Sequence, residues 1–151
     1  MAKTTRSRKS SPKRSRKPRL DDARADRAVK FIEACLVHTK GRWAGVQFKL
    51  ADWQRDSIIR PLFGTLRADG TRQYRTAYVE VGRKNGKSEL AAAIALYCLI
   101  ADGEEGAEVY GAACDRDQAS IVFHVAADMV RRSPYLSGIC KIIDSQKRII
   151  V

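Results

Sequence analysis

The sequence predicts an α/β fold in which helices flank a parallel sheet, and three observations support this prediction. Segment 74–81 is rich in β-branched and aromatic residues, as a strand is, and 107–113 is predicted as a second strand. Each is followed by a segment with helical spacing of apolar residues, 87–101 and 115–132. Strand, helix, strand and helix in this order are typical of parallel sheets covered by helices.

Two helices are predicted ahead of the first strand. Residues 22–38 place their apolar side chains on one side of a helix, and Asp21 or Asp22 can cap its start. A shorter helix begins near Asp52 and is limited by Pro61, because proline lacks the amide hydrogen that a helix interior needs, although it can continue irregularly to Phe63. Two predicted helices therefore precede the predicted sheet in the chain.

The other connections are predicted as loops and short strands. Residues 41–48 read as a loop with Trp43 and Phe48 as its anchors in the core. At the other end, residues 139–151 suggest one or two strands around a turn near Ser145.

Charge is distributed unevenly along the chain. The formal net charge is +12, from 29 Lys and Arg against 17 Asp and Glu, and residues 1–20 contain basic residues but no acidic ones. Such a polar segment cannot bury enough apolar surface to offset its ordering entropy. We therefore predict a disordered basic tail at 1–20 and one folded domain at 21–151. The tail either contacts nucleic-acid phosphates or another acidic surface, or is a solvated, solubilising segment.

The cysteines and the apolar runs favour a cytoplasmic protein without a membrane segment. The four cysteines, Cys35, Cys98, Cys114 and Cys140, have neither metal-binding nor paired spacing, so we expect small core residues in a reducing cytosol. No apolar stretch follows the basic N-terminus, as a secretory signal would require. The longest apolar run, 90–101, is too short to cross a bilayer.

Segment 79–88, Val-Glu-Val-Gly-Arg-Lys-Asn-Gly-Lys-Ser, has the strand, loop and helix context of a nucleotide-phosphate-binding loop. Gly86 permits a tight turn that points amide groups at phosphate oxygens, and the following helix start adds partial positive charge. Lys87 would reach the β- and γ-phosphates, and Ser88 would offer its hydroxyl to Mg²⁺. The first glycine, Gly82, comes one position later than in the usual motif. The alternative is an ordinary basic loop between a strand and a helix.

A second candidate lies upstream of this loop. Gln54 carries both donors and an acceptor, so it can pair with the edge of an adenine. Trp53 or Phe48 could pack near the base. The alternative for Gln54 is a solvated side chain at a helix start, and its position upstream of the loop is what favours a site.

Taken together, these motifs resemble the large terminase subunit of tailed bacteriophages. They are Leu50-x-Asp52-Trp53-Gln54, Arg83-Lys84-Asn85-Gly86-Lys87-Ser88, and Val109-Tyr110-Gly111-Ala112-Ala113 followed by Asp115-Arg116-Asp117-Gln118-Ala119. The resemblance covers about residues 31–134. It implies a P-loop NTPase-like parallel sheet flanked by helices, of which the chain holds the N-terminal part, and it likens the Gln54 region to the family's adenine-recognising Q motif.

The resemblance implies an ATP-driven motor that packages double-stranded DNA into procapsids in the host cytoplasm, with ATP and Mg²⁺ as cofactors. Implied partners are the terminase small subunit, the portal protein and, at full length, further copies of the chain, with no membrane. Arg83 matches a loop arginine of the family that contacts the γ-phosphate or responds to it, so Arg83 and Lys87 are the implied catalytic residues and Ser88 the metal ligand. The alternative for Arg83 is a solvent-facing charge on the loop. The nucleotide-binding residues would be Gln54, Gly82, Arg83, Lys84, Asn85, Gly86, Lys87 and Ser88.

Two features of that family are not found in the sequence. No apolar strand ends in the acidic pair that would hold Mg²⁺ and activate water, and no nuclease domain with a carboxylate cluster follows. The sheet is therefore expected to be incomplete, as in a fragment, a split gene product or a prophage remnant. We expect ATP binding without hydrolysis by the chain alone. The alternatives are a non-enzymatic nucleic-acid-binding α/β module, a fragment of another helicase-like P-loop ATPase, and a poorly folded truncated product.

Overall fold

The computed structural model describes residues 17–151, which form a helical body with two small antiparallel sheets. The helices are α1 (Asp22–Cys35), α2 (Asp52–Gln54), α3 (Arg60–Gly64), α4 (Lys87–Ile100), α5 (Arg116–Arg132) and α6 (Pro134–Ile139). The strands are β1 (Arg19–Leu20), β2 (Thr65–Leu66), β3 (Lys141–Ile143) and β4 (Arg148–Ile150). Single 3₁₀ turns lie at Gly41–Trp43 and Asp144–Gln146, and a π-helical turn at Arg55–Ile59.

Helix α1 starts as predicted but ends earlier. The Asp21 carboxylate caps it by accepting the amide N–H of Arg24 at 3.1 Å. At the other end Leu36 adopts an extended backbone, with φ −108° and ψ 157°. The Phe48 amide donates to the Leu36 carbonyl at 3.0 Å, so the chain folds back on itself. Residues 36–48, called the 36–48 hairpin below, therefore replace the last predicted helical turn.

Helices α2 and α3 form one helical run from Asp52 to Gly64, as predicted, with a π-helical turn in its middle. The π-helical turn between them lets the Arg60 amide donate to the carbonyl of Arg55, five residues back. This wider turn lies directly before Pro61, which has no amide hydrogen to donate. Pro61 is thus accommodated inside the run, which ends at Gly64, one residue beyond the predicted irregular continuation to Phe63.

The hydrophobic core is built mainly by α1, α3, α4 and α5. Tyr97 of α4 is 1% exposed and makes edge-on contacts with Phe31 and Phe63, at centroid distances of 5.7 and 4.6 Å. Gly64 ends α3 where α1 approaches so closely that a Cβ there would lie 2.7 Å from the Ala25 Cβ. This packing fixes the position of α4. Its first residue, Lys87, belongs to the candidate phosphate-binding loop at 82–88.

The two long C-terminal helices and the last strands match the sequence prediction. Helix α4 begins and ends within one residue of the predicted 87–101. Helix α5 is capped by Asp115, whose carboxylate accepts the Gln118 amide at 2.8 Å. The strands predicted within 139–151 are confirmed as the antiparallel pair β3 and β4, joined by a 3₁₀ turn.

The predicted parallel sheet is not observed among residues 17–151. Segments 74–81 and 107–113 belong to no β-ladder, and Tyr78 and Tyr110 near their middles are 87% and 82% exposed. A strand needs a neighbouring strand to satisfy its hydrogen bonds, whereas composition indicates only that a segment would suit one. The α/β class is confirmed in the coarser sense of mixed helices and strands, and both observed sheets are antiparallel pairs.

Four residues of the predicted tail, 17–20, lie within the described part of the chain. Arg19 and Leu20 form β1 and pair with β2 across the end of α3. The rest of the predicted tail, residues 1–16, lies outside the described part of the chain. From residue 17 onward, no helix is long and apolar enough to cross a membrane.

The cysteines are free thiols, and three of the four behave as expected. Cys35, Cys98 and Cys140 pack partly buried against the core, where burial raises the pKa of each thiol. Cys114 is exposed instead, because the segment before it lies on the surface and not in a buried sheet.

Candidate functional site

The Gly82–Ser88 loop runs directly into α4. Gly86 precedes the first helical residue and has a left-handed backbone, with φ 71° and ψ 17°, a region that glycine occupies without steric cost. Lys84 is also left-handed, with φ 66°, which is uncommon for a residue that has a Cβ. The loop therefore turns sharply at the helix start, as the sequence predicts for Gly86.

Side chains of the loop close it on itself. The Asn85 side-chain amide donates to the carbonyls of Gly82 and Arg83 at 3.3 and 3.4 Å. The Lys87 ammonium donates to the Val81 carbonyl at 3.1 Å and so spans the loop from its helix end to its start. A phosphate oxygen is a stronger acceptor than a carbonyl, so this ammonium can exchange its partner for an anion.

The start of α4 is suited to binding an anion. The first amide groups of a helix lack intrahelical acceptors and lie at the positive end of its dipole. Arg83, Lys84 and Lys87 add three exposed cations within the same loop, and Ser88 is half-buried in the first turn. Within residues 17–151, no group of three His, Cys, Asp or Glu side chains is arranged to hold a metal ion.

The structure brings Gln54 beside this loop although the two are far apart in sequence. A Cβ placed on Gly86 would lie 3.6 Å from the Gln54 Nε2. The Gln54 Oε1 accepts the Ala51 amide at 3.0 Å, which holds the side chain in that orientation. At 7% exposure, Gln54 is not the solvated side chain of the alternative interpretation.

The aromatic residues near the site have different environments. Phe48 is 2% exposed and stacks on His38 at a centroid distance of 4.5 Å, so it is a core anchor and is not free to contact a base. Trp43, expected as a second anchor, is 54% exposed, with the Arg42 guanidinium 5.0 Å from its ring. Trp53, at 38% exposure, is the aromatic neighbour of Gln54 that remains accessible.

Glu89 forms a polar cluster that sequence reasoning missed. Its Oε1 accepts the amide and the hydroxyl of Thr39, at 2.8 and 3.1 Å, and its Oε2 lies 2.8 Å from His38 Nδ1. Although burial acts to raise the pKa of Glu89, the hydrogen bonds from Thr39 and His38 outweigh it and the pKa is lowered. In the sequence, Glu89 is an acidic residue in the first turn of a predicted helix. Its favourable interaction with the helix dipole is enough to explain an acidic residue at that position.

Residues 52–151 match the family model described as the terminase large subunit, ATPase domain. The chain is similar to the large terminase subunit of Enterobacteria phage HK97, with 31% identity over 128 residues, 84% of this chain and 24% of that protein. It is also similar to the crystal structure of the HK97 bacteriophage large terminase, with a TM-score of 0.71 and 30% identity over 84% of this chain and 25% of that one. The chain therefore spans about a quarter of the length of these relatives.

Proposed function

This chain belongs to the terminase large-subunit family, in the part that forms the ATPase domain, and we propose that its Gly82–Ser88 loop binds the triphosphate of Mg·ATP. One observation carries the proposal: a left-handed Gly86 turns the chain into a helix start where Lys87 spans the loop. Exposed amides and cations at a helix N-terminus recognise phosphate.

The loop residues have distinct proposed roles. Gly82, Lys84 and Asn85 shape the loop and line the phosphates with Gly86, and Lys87 neutralises the β- and γ-phosphates. These roles are supported by the left-handed backbone of Lys84 and by the closure that the Asn85 amide makes onto Gly82.

Three further roles concern the metal, the γ-phosphate and the base. The Ser88 hydroxyl, in the first turn of α4, would ligate Mg²⁺, which neutralises phosphate charge when bound. Arg83, exposed on the loop, would contact the γ-phosphate and stabilise its developing charge. Gln54 would use its Nε2 amide, beside Gly86, to recognise the adenine edge.

At the level of the whole protein, we propose the ATP-driven packaging of double-stranded DNA in the host cytoplasm. The terminase small subunit, the portal protein and further copies of the chain would be its partners there. In the full-length protein, segments 74–81 and 107–113 would pair with further strands to complete a parallel sheet behind the loop. The β-branched and aromatic composition of 74–81 supports this pairing, as does its surface position in this chain.

The proposal is tested by nucleotide protection of the purified chain. Mg·ATP at about a hundred times its Kd should stabilise the fold by about 2.7 kcal/mol and raise its melting temperature. Lys87→Ala should abolish most of this rise, whereas Lys30→Ala, which removes an exposed lysine of α1, should leave it unchanged. Equal protection of all three proteins, or of none, would contradict the proposed site.

The same samples test the expectation that the chain alone binds ATP without turning it over. Phosphate release should stay at background in the wild type, because the sequence contains no strand ending in a water-activating acidic pair. Turnover well above background that is lost in Lys87→Ala would overturn this expectation.

A further inference from the structure

A carboxylate lies one residue beyond the candidate metal ligand, in the first turn of the helix that would face a triphosphate. Glu89 follows Ser88 directly, and its side chain is 16% exposed. A negative charge at a helix start stabilises the helix, but it repels an anionic ligand at the same place. A phosphate-binding role for α4 therefore does not by itself explain an acidic residue here.

The hydrogen bonds of Glu89 connect the start of α4 to another part of the chain. Both carboxylate oxygens are engaged by the 36–48 hairpin, through the amide and hydroxyl of Thr39 and the ring of His38. Thr39 is only 8% exposed. Hydrogen bonds to an ionised acceptor that is screened from water are stronger than neutral ones, so this contact holds the start of α4 against the hairpin.

The hairpin in turn connects to the segment that holds Gln54. The His38 ring stacks on the buried ring of Phe48. Two residues further on, the amide of Leu50 donates a hydrogen bond to the Glu33 carboxylate of α1 at 3.1 Å. Two residues later α2 begins, with Gln54 in its first turn. The contacts of Glu89 thus lock the helix start that carries the phosphate loop to the chain segment that carries Gln54.

We propose that Glu89 is a positioning residue, which holds the Gly82–Ser88 loop and Gln54 at the spacing that one nucleotide requires. The proposal rests on the proposed ATP-binding function and deepens it. Both carboxylate oxygens of Glu89 are engaged by His38 and Thr39, so it acts through these two residues. Its contribution to affinity comes from hydrogen-bond geometry, since its charge alone disfavours an anion.

Three variants separate geometry from charge and from general stability. Glu89→Ala removes the three contacts. Glu89→Gln keeps an oxygen acceptor for Thr39 and an amide that can donate to the neutral ring of His38, but it removes the charge. Asp102→Ala is the matched control, because this carboxylate is 14% exposed, pairs with Arg72 at 2.9 Å and lies at the far end of α4.

The measurement is Mg·ATP affinity, by titration of nucleotide protection, together with the melting temperature without nucleotide. We expect Glu89→Ala to bind about tenfold more weakly, as the net loss of one or two ordinary hydrogen bonds that hold the site together implies. Glu89→Gln should bind as tightly as the wild type or more tightly, and Asp102→Ala should keep wild-type affinity even where its melting temperature falls.

Four other outcomes would contradict the proposed role of Glu89 or the function on which it rests. Wild-type affinity in Glu89→Ala would remove the positioning role while leaving ATP binding intact. Equal weakening of Glu89→Gln and Glu89→Ala would mean that charge and not geometry matters. Equal weakening of Asp102→Ala would reduce the effect to stability. A wild-type chain that binds no Mg·ATP would end both this proposal and the proposed function.

Discussion

The long helices of the core agree with their sequence prediction, whereas the two segments predicted as strands form no sheet within residues 17–151, although local sequence predicts both kinds of element. Helices α4 and α5 lie where the pattern predicts, with Leu96 and Met129 buried in the core. Segments 74–81 and 107–113 form no ladder within residues 17–151, and their tyrosines are exposed.

The difference arises from where each element finds its hydrogen-bond partners. A helix pairs its amides with carbonyls four residues away in the same segment, so periodicity within a short window contains most of the information. A strand pairs with another segment, which can lie anywhere in the chain or beyond it. A strand prediction therefore requires knowledge of the neighbouring strand, and the local sequence pattern does not contain that information.

Amide hydrogen exchange should give the largest contrast between the two regions. In α4 the amide of Tyr97, in the core, should exchange only through global unfolding. The amides of Tyr78 and Tyr110 should exchange close to their intrinsic rates, because neither residue belongs to a β-ladder in the part of the chain that the structure describes. Comparable protection of all three amides in the isolated chain would mean that a sheet forms after all.

Truncating one side chain in the helical core and one in segment 74–81 should change the free energy of unfolding by very different amounts. Leu96→Ala, at a position 1% exposed, should lower the free energy of unfolding by about 2–5 kcal/mol. Tyr78→Ala, at a position 87% exposed, should change it by less than about 0.5 kcal/mol. Urea denaturation measures both. A large loss for Tyr78→Ala would show that 74–81 packs against something in solution.

The close approach of α1 to α3 offers a smaller test of the helical body. A Cβ on Gly64 would meet Ala25 and Leu20 at 2.7 and 2.9 Å, so Gly64→Ala should cost about 1–3 kcal/mol. Gly138→Ala in α6 is the control, because nothing lies within 4 Å of its Cβ position, and alanine there should be neutral or mildly stabilising. Thermal unfolding that ranks the two variants in the reverse order would contradict the packing.

The smallest expected effect is the pH dependence that Glu89 adds. Its pKa is lowered in the folded state, so its stabilisation is present above the pKa of an unfolded glutamate and is lost as the pH falls through the folded pKa. The melting-temperature advantage of the wild type over Glu89→Gln should therefore shrink as the pH falls below about 4.3, the ordinary glutamate value. An advantage that stays constant from neutral to acidic pH would rule this out.

The candidate site was partly predictable from sequence. The glycine, lysine and serine of the loop can be read from 82–88 because their spacing and the helix behind them form one local unit. Gln54 is predicted as a site residue from its side-chain chemistry and its position upstream of the loop, and the resemblance to a family supports it, but neither gives its distance from Gly86. The cluster at Glu89 was missed, because its partners lie in a hairpin that the sequence predicted partly as helix and partly as loop.

The sequence by itself determined the local features: the capped helices, the left-handed glycine before α4 and the cations of the loop. These depend on the propensities and spacing of residues within one or two turns. The tertiary structure alone decided which distant segments meet. It placed Gln54 and the 36–48 hairpin against the start of α4 and, within residues 17–151, left 74–81 outside any β-ladder. Contacts between distant segments depend on how the whole core packs, which no local pattern specifies.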